Sequence, residues 1–262
     1  MWYKPAMRYK AIAEYYDAEY DQQEMLQHDV PLFLSHLPKT GQDVLELAAG
    51  TGRAAIPIAQ AGHRVVGIDN DADMLAIARR KRDAVGLTER ELQLKRGDML
   101  KLRLGQTFDW ACIFFNTFLV FTRLADQDKA LQGIRRRLKR KGRLWLDLFQ
   151  PNLQVLARPV TRNLEPHLFY VPELDRTVFR TTEIRPDPTT QIQRILFHYT
   201  WFDAGGREHR QKVEFELTFM FPRELRLLLE RNGFAIEHLY GDYDGSDLTA
   251  DSPRMIACCG KR

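Results

Sequence analysis

The sequence lacks the features that several classes of protein require. Its 39 Lys and Arg residues against 35 Asp and Glu leave a formal net charge of only +4, short of the concentrated basic excess of a dedicated nucleic-acid binder. No apolar run approaches the roughly 18 residues of a membrane span, and the N-terminus does not show the basic and then apolar segments of a secretory signal. We therefore expect a soluble, cytoplasmic protein that binds no membrane and for which nucleic acid is not the expected partner.

Cysteine is also scarce. The chain has three cysteines, Cys112, Cys258 and Cys259, and their spacing is not that of a metal site. Neighbours such as Cys258 and Cys259 on one strand point to opposite faces and make poor disulfide partners. We interpret all three as reduced thiols, as is usual in the cytoplasm, and predict no metal.

One short stretch carries most of the functional signal. Residues 44–47 are an apolar run interrupted by Glu46, and the small residues after it include Gly50 and Gly52. Glycine adopts positive φ and lets backbone approach a ligand closely. A helical pattern then begins near Ala55. The order strand, glycine turn, helix predicts that an adenosine-type cofactor binds at the first strand of an α/β sheet.

Glu46 bears on which cofactor this is. A negative charge at the end of the strand is unfavourable beside the pyrophosphate of a nicotinamide cofactor and favourable beside a cationic ligand. The stretch resembles motif I of the class I S-adenosylmethionine-dependent methyltransferases, an acidic residue followed by three alternating glycines. Ala48 stands in place of the first glycine. The resemblance implies S-adenosyl-L-methionine as cofactor, S-adenosyl-L-homocysteine as product, and Glu46, Ala48, Gly50 and Gly52 as cofactor contacts.

Three further strand ends are predicted to contact the cofactor. Asp69 ends the next apolar run, 17 positions after Gly52, near the roughly 20-residue offset at which a carboxylate binds ribose hydroxyls. In the family, the residue matching Met74 packs on the adenine, and an acidic residue matching Asp98 binds its amino group, although Asp98 could also be an ordinary turn residue. Phe115 follows a strand that resembles motif IV, beside the methyl donor. The resemblance thus adds these contacts: Asp69, Asn70, Met74, Asp98, Met99 and Phe115.

The resemblance implies a Rossmann-like doubly wound α/β sheet, mostly parallel with an antiparallel edge strand, and the alternation of strand and helix patterns up to about residue 150 agrees. From Pro151 this alternation stops. Residues 168–220 contain three segments of alternating β-branched and aromatic residues separated by turn signals, which predict an inserted antiparallel sheet. We expect the cofactor-binding domain, with an N-terminal helical cap, at 1–155 and 221–262, and the inserted subdomain at 156–220.

Candidate catalytic residues are few, because methyl transfer from a sulfonium depends mainly on alignment and needs a general base only for a protonated nucleophile. Residues 16–20, Tyr-Asp-Ala-Glu-Tyr, resemble a segment that folds over the cofactor in small-molecule methyltransferases; alternatively, these aromatics pack a helix. His198 lies on a predicted strand, on the face opposite Tyr199. The candidates are Tyr16, Tyr20 and His198, followed by His167 and His209.

An aromatic sheet inserted after the fifth strand would cover the active site and select a small molecule. We therefore predict methyl transfer to nitrogen or oxygen of a small molecule, by a monomer or homodimer. Three alternatives stay open: an NAD(P)-dependent oxidoreductase, a non-catalytic protein that binds S-adenosylmethionine or another adenosine ligand, and, within the favoured class, an RNA methyltransferase. The basic residues 135–143 would bind the RNA phosphates, or else complement the end of a helix that Gly142 closes.

Overall fold

The computed structural model describes residues 13–262. This part of the chain divides into two compact units. One contains Met25–Gln150 and Met220–Arg262, and the other contains Pro151–Phe219 together with the described residues up to Glu24. No helix among the described residues is long and apolar enough to cross a membrane. The first twelve residues of the predicted N-terminal cap lie outside the described residues.

The described chain contains seven α-helices and eleven strands. The helices are α1 (Ala13–Asp21), α2 (Asp29–Ser35), α3 (Ala55–Gln60), α4 (Ala72–Ala84), α5 (Leu124–Arg137), α6 (Leu153–Leu156) and α7 (Pro222–Arg231). The strands are β1 (Asp43–Leu47), β2 (Arg64–Asp69), β3 (Leu92–Arg96), β4 (Phe108–Ile113), β5 (Leu138–Phe149), β6 (Thr161–Val171), β7 (Arg176–Asp187), β8 (Ile192–Phe202), β9 (Glu208–Thr218), β10 (Phe234–Tyr240) and β11 (Arg254–Lys261).

The first unit is built on a seven-stranded sheet in the order β10-β11-β5-β4-β1-β2-β3. The adjacent strands β3, β2, β1, β4 and β5 pair in parallel. Strand β11 pairs antiparallel with both β5 and β10. The predicted fold class, a mostly parallel doubly wound sheet with an antiparallel edge plus a separate antiparallel sheet, is confirmed. The antiparallel strand, β11, is the second strand of the sheet, and β10 forms the edge beside it.

Burial on both faces explains the apolar character of the central strands. Val44, Leu45 and Leu47 of β1 are at most 1% exposed. On one face, α2 places the ring of Phe33 against Trp110 and Trp145, each with 5.5 Å between ring centroids. These contacts fix α2 over the middle of the sheet, next to β4 and β5.

The second unit is a four-stranded antiparallel sheet in the order β6-β7-β8-β9. The sequence pattern predicts three of its strands, and β6 is an additional one. The pairing of β6 with β7 shifts register twice, between Thr161 and Leu164 and again between Leu164 and His167. Such irregularities break the period-two alternation by which strands are recognised.

Helix α1 groups with this antiparallel sheet rather than with the unit that contains the seven-stranded sheet. The carboxylate of Glu19, 1% exposed, receives the Tyr199 hydroxyl at 3.0 Å and pairs with Arg180, also at 3.0 Å. Burial raises the pKa of Glu19, and Arg180 opposes this effect. These contacts of Glu19 hold α1 on the antiparallel sheet, and the predicted domain boundaries stay a prediction.

The junction of α5 and β5 also differs from the prediction. Helix α5 ends at Arg137 and β5 begins with the next residue, Leu138. Gly142, which we expected to end the helix, lies inside the strand. A register shift between β4 and β5 accommodates this early part of the strand.

The packing of α2 predicts a large loss of stability when Phe33 is truncated. We expect Phe33→Ala to lower the free energy of unfolding by about 3–5 kcal/mol, because the cavity faces a sheet that cannot collapse into it. Leu227→Ala, at a residue 58% exposed on α7, should change it by less than about 0.5 kcal/mol. Urea denaturation measures both, and similar losses would contradict the assignment of Phe33 to the core.

Candidate functional site

The sequence-predicted cofactor residues lie along one edge of the parallel sheet. Strands β3, β2, β1 and β4 are consecutive neighbours, so their carboxyl ends adjoin. Strand order reverses between β1 and β4, and in α/β sheets ligands bind at the carboxyl edge where this happens. The residues at or just after these ends are Glu46, Ala48, Gly50 and Gly52 (β1), Asp69, Asn70 and Met74 (β2), Asp98 and Met99 (β3) and Phe115 (β4).

The loop after β1 is left-handed at three positions. Gly50 and Gly52 have φ of +54° and +83°, and Ala48 has φ of +60°. A Cβ at Gly52 would lie 3.0 Å from the Ile56 side chain. Glycine adopts such angles without penalty, whereas alanine carries a cost of about 1–2 kcal/mol. Ala48, which departs from the family motif, therefore keeps the left-handed conformation of the loop but lowers the stability of the folded state.

Asp69 supports this loop from the end of β2. Its Oδ2 atom accepts a hydrogen bond from the Gly50 N–H at 2.8 Å, and its Oδ1 atom accepts one from the Asp71 N–H at 2.8 Å. Burial raises the pKa of Asp69, while these backbone donors lower it. A carboxylate has about four lone-pair positions, so Asp69 has acceptor capacity left for the hydroxyl of a ligand.

The other residues near β2 and β3 have structural roles of their own. Asp71 caps α4 by accepting the backbone N–H of Asp73 at 2.8 Å and of Met74 at 3.1 Å. Met74 is 2% exposed, and Asn70 is exposed. Asp98 is also exposed and caps a short 3-10 turn that begins at Met99, through the Leu100 N–H at 2.8 Å. Their contacts with adenosine stay predictions.

Glu46 is buried beneath the glycine loop. Its side chain is 3% exposed, it accepts a hydrogen bond from the Ala55 backbone, and desolvation raises its pKa to about 8 despite the nearby Arg53. The Oε2 atom has no hydrogen-bond partner among the described residues. Burial thus favours the neutral carboxyl group of Glu46, whereas the sequence argument assigned it a negative charge.

Phe115 and Asn116, in the loop after β4, both have left-handed backbone, with φ of +48° and +66°. A buried carboxylate on β5 holds this loop: Asp147 Oδ2 accepts the Phe115 N–H at 2.9 Å. The same atom accepts the Tyr243 hydroxyl at 2.9 Å, and Oδ1 accepts the Arg254 Nε at 3.1 Å and its Nη2.

Sequence reasoning missed Asp147, Tyr243 and Arg254. One signal was present: Asp147 stands in the apolar run 144–148, and a carboxylate in a buried strand needs partners. The identity of the partners could not be read from the sequence, because Tyr243 and Arg254 are 96 and 107 residues away.

The candidate catalytic residues do not form one cluster. Tyr16 and Tyr20 lie on α1 with 4.4 Å between their ring centroids. Helix α1 packs on the face of the antiparallel sheet that carries Tyr199, since Tyr15 is 5.9 Å from that ring. His198 immediately precedes Tyr199 on β8, so it lies on the opposite face. Each residue's part in catalysis stays a prediction.

The remaining histidine candidates have local partners. His167 Nε2 is 3.3 Å from the backbone oxygen of Glu19, and His209 Nε2 is 2.8 Å from Asp203 Oδ2. Within residues 13–262, no group of His, Cys, Asp and Glu could hold a metal ion.

A glycine loop and a carboxylate at the carboxyl edge of a doubly wound sheet are the features with which such sheets bind adenosine-type cofactors. The family described as "Methyltransferase domain" matches residues 44–142, which run from β1 into β5. A demethylmenaquinone methyltransferase of Corynebacterium kroppenstedtii is 31% identical over 179 residues, 65% of this chain and 72% of that protein. The chain belongs to the class I S-adenosylmethionine-dependent methyltransferases.

Other similar proteins cover more of the chain. A cypemycin N-terminal methyltransferase of a Streptomyces species is 29% identical over 222 residues, 85% of this chain and 84% of its own. An S-adenosylmethionine-dependent methyltransferase from Clostridium acetobutylicum shares the fold with a TM-score of 0.77, at 17% identity over 97% of this chain and 98% of that one. An S-adenosylmethionine-bound amino pentose methyltransferase from Micromonospora echinaspora has a TM-score of 0.69, at 20% identity over 97% and 95%.

The left-handed conformation of Ala48 predicts that glycine stabilises this position. We expect Ala48→Gly to raise the free energy of unfolding by about 1 kcal/mol, because relief of the backbone strain exceeds the entropy that glycine adds to the unfolded chain. The matched control is Ala49→Gly, at a buried residue without positive φ, which should destabilise. Urea denaturation compares the two, and destabilisation by both would contradict the strain at Ala48.

The burial of Glu46 predicts a dependence of stability on pH. The unfolded state loses this proton near the ordinary pKa of 4.5 and the folded state near 8. Between these values the folded state binds the extra proton, so stability falls as pH rises, by up to about 1.4 kcal/mol per pH unit.

Glu46→Gln removes this titration and should become more stable relative to the wild type as pH rises from 5.5 to 7.5. Denaturant unfolding at each pH measures the difference. The exposed Glu173→Gln serves as control and should follow the wild type. Parallel curves for Glu46→Gln and wild type would contradict a buried, protonated Glu46.

Proposed function

We propose that this protein transfers a methyl group from S-adenosyl-L-methionine to a nitrogen or oxygen atom of a small molecule. The observation that carries the proposal is the loop after β1, whose left-handed Gly50 and Gly52 are held by Asp69 at the carboxyl edge of the sheet. A glycine turn, which lets backbone approach a ligand closely, and a carboxylate with acceptor capacity left are what an adenosine-type ligand requires. The residues present therefore fit the cofactor.

We assign several residues at the carboxyl edge of the sheet a part in binding the cofactor. Asp69 would accept hydrogen bonds from the ribose hydroxyls, the glycine loop would approach the cofactor with its backbone, and Asp98 with Met99 would meet the adenine. Phe115 would lie on the methyl-donor side. Bound S-adenosylmethionine supplies an activated methyl group on a sulfonium, a good leaving group. The work left to the protein is to hold the acceptor close and in line and to exclude water.

An amine is the acceptor that we favour. Two of the similar proteins carry amine-related names, one an N-terminal and one an amino pentose methyltransferase. An ammonium group must lose its proton before it attacks, and Tyr16, Tyr20 and His198 are the residues that we propose for this step. We also propose that the antiparallel unit selects the acceptor, because it lies outside the region that the family matches.

The basic residues 135–143 favour a small-molecule acceptor over RNA. Several of them have partners inside the protein: Lys139 lies 2.7 Å from Asp43 and 2.8 Å from Asp109, and Arg143 lies 2.7 Å from Glu237. Arg135 and Arg137 donate to the backbone oxygens of Arg262 and Leu104. These partners occupy donors that a phosphate-binding surface would offer to the nucleic acid.

Calorimetric titration with S-adenosylmethionine and S-adenosylhomocysteine tests the cofactor. We expect the wild type to bind both and Asp69→Asn to bind each at least about tenfold more weakly, the loss of one good charged hydrogen bond. Asparagine keeps one acceptor for the glycine loop and is a milder change than alanine. Asp187→Asn, at the exposed end of β7 in the other unit, is the matched control and should bind like the wild type.

The same titrations separate the alternatives. If the wild type bound neither ligand, the methyltransferase proposal would be wrong, and binding of a nicotinamide dinucleotide instead would establish the oxidoreductase. Tight binding of S-adenosylmethionine without turnover on a broad panel of amines, phenols and carboxylates would support a non-catalytic binding protein.

A further inference from the structure

The buried cluster of Asp147, Tyr243 and Arg254 holds the loop after β4 through its backbone. Besides the hydrogen bond from the Phe115 N–H to Oδ2, the backbone oxygen of Asp147 accepts the Asn116 N–H at 2.9 Å. On the other side of the same carboxylate are the Tyr243 hydroxyl and the Arg254 guanidinium. One residue of β5 thus joins the β4 loop to the C-terminal part of the chain.

The loop needs such support because its backbone is strained. Two successive residues with side chains, Phe115 and Asn116, have left-handed φ. Asparagine tolerates this conformation better than phenylalanine does. A further hydrogen bond, from the Phe149 N–H to Asn116 Oδ1 at 2.6 Å, helps to hold it. Backbone of this kind persists only where the surrounding structure enforces it, and it is concentrated at functional sites.

The cluster is suited to enforce one geometry. Asp147 is fully buried, and Tyr243 and Arg254 are only 6% and 4% exposed. Burial raises the pKa of the Tyr243 hydroxyl, so this group remains a donor to Asp147, and Asp147 raises the pKa of Arg254. The Arg254 guanidinium also lies 5.4 Å from the centre of the Phe115 ring. It therefore contacts both the carboxylate that holds the loop and a side chain of the loop.

We propose that Asp147, Tyr243 and Arg254 are positioning residues, which hold the loop of Phe115 and Asn116 in its left-handed conformation and thereby set the methyl-donor side of the site. They act through the loop and do not themselves touch the cofactor. The inference rests on the proposed function, because its probe is S-adenosylhomocysteine. In-line transfer is sensitive to small displacements, so a loop fixed by a buried network is a means of keeping that alignment.

Tyr243→Phe tests the proposal with little disturbance of packing, because only one hydroxyl is removed. We expect its affinity for S-adenosylhomocysteine, by calorimetry at 25 °C, to fall about five- to tenfold. The Phe115 amide should exchange its hydrogen at least about tenfold faster, while circular dichroism shows a folded protein. A role in stability alone would lower the unfolding temperature and leave both the affinity and this local exchange unchanged, which would overturn the proposal.

Tyr170→Phe is the matched control. It removes another tyrosine–aspartate hydrogen bond, from the Tyr170 hydroxyl to Asp175 Oδ1 at 2.8 Å, at an exposed position in the other unit. Affinity and exchange at Phe115 should both stay at the wild-type values. An equal effect of Tyr170→Phe would show that the changes are not specific to the cluster and would also overturn the proposal.

A second pair of variants tests the strain. Asn116→Gly and Asn116→Ala remove the same hydrogen bond to Phe149, but only glycine adopts left-handed φ without penalty. We expect the glycine variant to bind S-adenosylhomocysteine several-fold more tightly than the alanine variant, and equal affinities would contradict the strain. Absence of binding by the wild type would instead refute the proposed function, and hydrogen exchange at Phe115 would still test whether the cluster holds the loop.

Discussion

The cofactor edge depends on one interaction that occurs twice, a carboxylate at the end of one strand that accepts a backbone N–H from the loop of the neighbouring strand. Asp69 of β2 binds Gly50 after β1, and Asp147 of β5 binds Phe115 after β4. Parallel pairing makes this possible, because adjacent strand ends lie only about 4.8 Å apart at the same edge. Strand order reverses between β1 and β4. The loop after β1 is therefore held by β2, and the loop after β4 is held by β5, each from the side away from the reversal.

The two carboxylates differ in how many hydrogen-bond acceptor positions they have left for a ligand. Asp147 is fully buried, and its oxygens already accept from Arg254, Tyr243 and Phe115. Asp69 is only partly buried, and it accepts hydrogen bonds from the backbone N–H groups of Gly50 and Asp71. A saturated carboxylate fixes geometry, whereas one with free lone pairs can also accept from a substrate or cofactor. The same interaction therefore supports structure on the β5 side and fits ligand binding on the β2 side.

The parts of this edge that are local in sequence were predictable. The turn after β1, the carboxylate that ends β2 and the order of strands and helices follow from short patterns of glycine, acidic and apolar residues. The Asp147 cluster was not predictable, because nothing local indicates that residues about a hundred positions apart will meet. Strand β6 was not predicted because its register shifts disturb the alternation of side chains. The raised pKa of Glu46 was not predictable because it depends on burial, which is a tertiary property.

The packing of α1 limits how the predicted catalytic residues can act together. Its buried Glu19 pairs with Arg180 and Tyr199, and separating such a pair would leave an uncompensated charge in the interior. Helix α1 is therefore fixed to one face of the antiparallel sheet, and Tyr16 and Tyr20 are fixed with it. His198 lies on the other face, since its neighbour Tyr199 faces α1. An acceptor that reaches the tyrosines does not reach His198 across the sheet, so the tyrosines and the histidine are alternative candidates for one proton transfer rather than partners in it.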